Sequence, residues 1–81
     1  MPANISIERL RPLHEKSLRS EVAAIFQKCQ ESWEVSIRSA RKNTLEVRAV
    51  TPGGVIHRFH HYGPDTHDAV ISTLKDIASA A

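Results

Sequence analysis

SWEVSIRSARKNTLEVRAVT, residues 32–51, alternates apolar and polar side chains twice, once on each side of a short polar break. Trp33, Val35 and Ile37 take turns with Glu34, Ser36 and Arg38. Leu45, Val47 and Ala49 take turns with Glu46, Arg48 and Val50. A period of two is the signature of a strand with one face buried. Arg41-Lys42-Asn43 reads as a three-residue hairpin loop, in which Asn43 tolerates the left-handed conformation. That loop length fixes a register, with Ser39 opposite Leu45, Ile37 opposite Val47 and Val35 opposite Ala49. Arg38 and Glu46 then face each other on the other side as an ion pair across the strands.

Toward the C-terminus, Pro52-Gly53-Gly54 is a second turn, and residues 55–62 form a third strand with a less clean pattern. A loop of 52–54 sets Val47 opposite Phe59, Ala49 opposite His57 and Arg48 opposite Arg58. The rival two-residue turn at Gly53-Gly54 would bury Ile56 and Tyr62 and drive Arg58 and His60 inward. The cost of burying those polar groups favours the first register. Gly63-Pro64 ends the sheet. Asp65 or Thr66 caps a last helix over 66–79, with Asp68 in the first turn, where the helix dipole favours a carboxylate. Val70, Leu74, Ile77 and Ala78 make its apolar stripe.

Toward the N-terminus, residues 13–30 read as an amphipathic helix. Leu18, Val22, Ile25, Phe26 and Cys29 fall on one stripe at period 3.6, and Pro12 suits the first turn. Residues 1–12 are an N-terminal segment in which the alternation around Ile5 and Ile7 allows one short edge strand. The fold class is therefore α+β: a helix, a three-stranded antiparallel meander and a helix (α-β-β-β-α). Both helices lie on one face of the sheet, with the short extra strand in front. Residues 13–81 form the single domain.

The chain has 81 residues, 41% hydrophobic and 25% charged, which suits one globular domain and one thin core. Its net charge is +2. Residues 1–30 and 31–62 each carry five cations against three glutamates, while 63–81 carry one lysine against three aspartates. A committed nucleic-acid binder usually has a stronger basic patch. The single Cys29 cannot form an intrachain disulfide, no stretch is apolar enough to span a membrane, and the N-terminus lacks a signal peptide's apolar core. The expected compartment is the cytoplasm.

The five histidines are candidate metal ligands. His57 and His61 share a strand face but stand about 13 Å apart, and His60 points the other way. A metal would need His14, His67 or Cys29 to converge on the same point, so no metal or cofactor is expected. No nucleophile elbow is present, and Cys29 lies in a helix stripe as a small hydrophobe. Gly53-Gly54 joins strands and opens no helix, so it is no phosphate cradle. No enzyme is expected.

The open sheet face is the candidate site. It presents Arg38, Arg48, Arg58, His60 and Tyr62 together with Glu34, Glu46, Val50 and Ile56. Arg48 opposite Arg58 is unfavourable alone and is relieved by an anionic partner. Arg and Tyr are enriched at protein hot spots. The expected function is a macromolecular interaction module (a regulator, inhibitor or adaptor) binding a protein through this face or a strand edge. Size alone suits the kind of module carried by phages and mobile elements. The alternative is a nucleic-acid-binding domain using Arg41, Lys42, Arg48 and Arg58. The helix–strand–strand–strand–helix order resembles that of double-stranded RNA-binding domains, which implies lysines gripping phosphate at the start of the last helix. Here Gly63-Pro64-Asp65-Thr66-His67-Asp68 puts two aspartates there. A homodimer through the edge of the strand Trp33–Ser39 is the third expectation, unless the Ile5–Ile7 segment covers that edge.

Overall fold

The computed structural model describes residues 3–29, 31–41 and 43–80. Its elements run β1 (Ala3–Glu8), α1 (Pro12–Phe26), β2 (Trp33–Arg41), β3 (Thr44–Val50), β4 (Ile56–Tyr62) and α2 (Thr66–Ala80). The four strands make one sheet in the order β1-β2-β3-β4. Both helices pack on the same face, with α1 against β1 and α2 against β3 and β4.

The meander has the register that its alternation predicts. Ile37 faces Val47, Val35 faces Ala49 and Ser39 faces Leu45. Val47 faces Phe59, Ala49 faces His57 and Arg48 faces Arg58. Asn43 does take a left-handed backbone, with φ 58°. The expected three-residue loop Arg41-Lys42-Asn43 is corrected at its first residue: β2 runs on to Arg41, which pairs with Thr44 after a register shift beyond Ser39. In the second turn Gly54 N donates to Thr51 O, and Thr51 Oγ1 accepts from Val55 N. Gly54 has φ 92°, a conformation that favours glycine.

The short strand in front is a full member of the sheet. β1 lies parallel to β2, with Ile5 beside Val35 and Ile7 beside Ile37. A parallel neighbour needs a crossover, and α1 supplies it. β1 therefore occupies the edge of β2 that a dimer through Trp33–Ser39 would use. The free edges are those of β1 and β4.

α1 is shorter than its periodicity suggests. It ends at Phe26 rather than residue 30, and Cys29 N donates back to Phe26 O at 3.0 Å. Phe26 and Trp33 pack with ring centroids 5.0 Å apart. Four more helical residues would advance the chain about 6 Å, away from the point where Trp33 meets Phe26. The core is Ile7, Leu18, Val22, Phe26, Trp33, Val35, Ile37, Leu45, Val47, Ala49, Val70, Ile71 and Leu74. Ile25, Cys29, Phe59, Ile77 and Ala78 pack around it, half-buried. β4 adds no fully buried residue to it.

Candidate interaction face

The helices leave the other side of the sheet bare. Strand alternation and register arrange its side chains in rows that cross the strands. One row is Glu8, Arg38, Glu46 and His60. The next is Ser6, Ser36, Arg48 and Arg58, and the third is Asn4, Glu34, Val50 and Ile56. Tyr62 closes the far end opposite Thr44 and is 78% exposed. A shallow depression of about 500 Å³ runs between the first two rows, from Ser6 and Glu8 on β1 to Arg58 and His60 on β4.

The first two rows differ in how their charges are met. Arg38 Nη2 donates to Glu46 Oε2 at 2.7 Å, with both side chains about half exposed. That hydrogen bond holds the Glu46 carboxyl below the usual carboxylate range, helped by the charges of Arg38, His60 and Arg41. The same bond raises Arg38, and Glu8 adds to the effect. Arg48 and Arg58 stand opposite one another, both exposed. Neither has a hydrogen bond or ion pair among the described residues. Like charges directly opposite on a sheet repel, so a bound anion would turn that cost into a gain.

The residues expected at a site all come to this face: Arg38, Arg48, Arg58, His60 and Tyr62 share it. The set for a nucleic acid is only partly assembled. Arg41 lies at the end of β2 beside Thr44, about 13 Å along the sheet from Arg48. Lys42 lies outside the described residues. β1 contributes Ser6 and Glu8, whose alternation is visible in the sequence but whose strand neighbour is not. Glu8, Glu34 and Glu46 balance Arg38, Arg48 and Arg58 across the face.

The histidines disperse. His60 is on the open face, while His61 on the helix side exchanges a 2.9 Å hydrogen bond with Thr73 Oγ1. His14 and His67 meet between the helices, with Nε2 of one 3.0 Å from Nδ1 of the other and rings stacked at 5.1 Å. His67 Nε2 bonds to Glu21. Both nitrogens of His67 are engaged, so this group clips α1 to α2. Among the described residues no three or more potential ligands are placed to hold a metal. No described helix is long and apolar enough to cross a membrane.

These features define a class: a two-layer α+β protein, β-α-β-β-β-α, with two helices on one side of a four-stranded sheet and a polar face on the other. No protein-family model and no curated protein matches the chain. Among solved structures it resembles the N-terminal domain of Protein Y from Thermus thermophilus, with a TM-score of 0.59 and 14% identity. The match covers 99% of this chain and 94% of that one. At that identity the likeness is one of fold.

Proposed function

We propose that the chain is a small non-enzymatic interaction module of the cytoplasm, a regulator, inhibitor or adaptor. Its open sheet face binds a protein partner that presents carboxylates. The observation that carries this reading is the pair Arg48 and Arg58, opposite each other and without internal partners, on the rim of a shallow depression. Ser6 and Ser36 extend their row with hydroxyls that either donate or accept. A protein is favoured over a nucleic acid because Glu8, Glu34 and Glu46 lie on the same face: a protein can set carboxylates at the arginines alone, whereas a continuous row of phosphates would also meet the glutamates. Tyr62 and Ile56 at its margin offer the apolar contact that protein interfaces use.

Capture from the lysate of the source cell, with and without nuclease, tests the class of partner. One protein retained after nuclease treatment supports the reading. Capture that nuclease abolishes, or that falls steeply with salt at a slope near −0.9 per phosphate contact, replaces it with the nucleic-acid alternative.

A further inference from the structure

We propose that β4 is the seam of a homodimer, in which two copies pair edge to edge, antiparallel, about Phe59. The inference does not draw on the charge pairing of the open face, although its seam shares Ile56, Arg58, His60 and Tyr62 with the margin of that face. It starts from the backbone of β4. Thr51 N donates to Val55 O, and Gly63 N donates to Asn43 O. Backbone polar groups alternate in direction along an antiparallel strand. The odd-numbered residues from 55 to 63 therefore turn theirs toward β3. Ile56, Arg58, His60 and Tyr62 turn N–H and C=O to the outer edge, where no strand follows.

The edge carries little to discourage a partner. Residues 56–62, Ile-His-Arg-Phe-His-His-Tyr, have Arg58 as their one fixed charge and contain no proline, lysine or carboxylate. Such residues are the usual guards of a free edge. The other free edge differs. On β1, Arg19 Nη1 already donates to the carbonyl of Ile5 at 2.8 Å. β4 and the residue before it also keep apolar side chains in solvent. Val55 is 58% exposed, Ile56 47% and Tyr62 78%, and Phe59 is only half-buried.

A second copy fits this edge in one register better than any other. With Phe59 on the twofold axis, Ile56 faces Tyr62 of the twin and Arg58 faces His60. All the outward backbone groups of β4 then find partners, two bonds to each facing pair. The two exposed apolar residues cover each other as an aromatic–aliphatic cross-strand pair. Phe59 meets its own copy on the helix side. A shift by two residues in either direction would leave an outward group unpaired and separate Ile56 from Tyr62. This palindromic match argues for the chain's own twin over a foreign strand, and closed twofold pairing stops at the dimer.

The test is sedimentation equilibrium of the full chain from micromolar to millimolar concentration, for wild type, H60P and H60E. His60 turns its N–H outward, so H60P removes an edge donor and leaves the ladder to β3 intact. H60E sets a carboxylate opposite the twin's Arg58. It also meets Glu46 in its own molecule, but that repulsion is present in monomer and dimer alike. The expected results are a wild-type monomer–dimer equilibrium, a monomeric H60P, and a dimer roughly 2- to 30-fold tighter for H60E, since two cross-strand pairs are gained. Should H60P fail to fold, H60E alone decides. A wild type that stays monomeric overturns the proposal. So does a dimer whose constant neither variant moves, or an edge that pairs only with a different protein.

Discussion

Arg38 and Glu46 make contact because each belongs to the polar half of an alternating strand and the hairpin sets them opposite. The pair was legible in the sequence from the alternation of the two strands and a short turn between them, although Arg41 belongs to β2 rather than to the loop. Its consequence is a carboxyl that stays ionised further into acid than usual. A depressed folded-state value stabilises the fold above the ordinary carboxylate range, and the contribution is lost as pH falls from that range through the depressed value. In R38A the Glu46 titration is expected to move up toward the ordinary range, measured by NMR of its side-chain carboxyl. The change in folding stability should be slight, because both groups are half exposed and screened. Arg48 and Arg58 obey the same geometry with the opposite result. Register puts two cations together, and nothing described nearby meets them.

At the scale of elements, α1 and β2 depend on the contact between Phe26 and Trp33, which lies where helix gives way to strand. Phe26 is wholly buried. F26A should cost about 3–5 kcal/mol, the lost transfer energy plus a cavity. A chain of this size holds roughly 4–12 kcal/mol in all, so urea denaturation should find this variant near the edge of unfolding. L13A, in the first turn of the same helix and 85% exposed, should move the midpoint little. The apolar stripe of α1 told which residues face the sheet but not where the helix stops. Periodicity carries no information about a tertiary contact seven residues away. The strands were easier, since a one-residue slip would have buried Arg58 and His60. Ile71 of α2 joined the core unannounced, beside Val70 and one turn before Leu74.

For the whole molecule, the layer arrangement and the bare polar face follow from the order of elements and the side on which the apolar residues fall. The place of β1 does not. Alternation at Ile5 and Ile7 gives a strand and its buried face, but its parallel pairing with β2 is a contact across a helix, and no local pattern encodes it. With β1 in place the open face gains Ser6 and Glu8, and the edge of β2 closes. The face becomes a balanced field of charge around Arg48 and Arg58, the pair that the proposed function gives to a partner's carboxylates. The most direct measurement is the affinity of R48A/R58A for the captured partner, with circular dichroism checking that the fold is retained. The account predicts a well-folded double variant that binds at least 10-fold more weakly, as expected when two charge-assisted contacts are lost. A folded double variant that binds as tightly as wild type would contradict it.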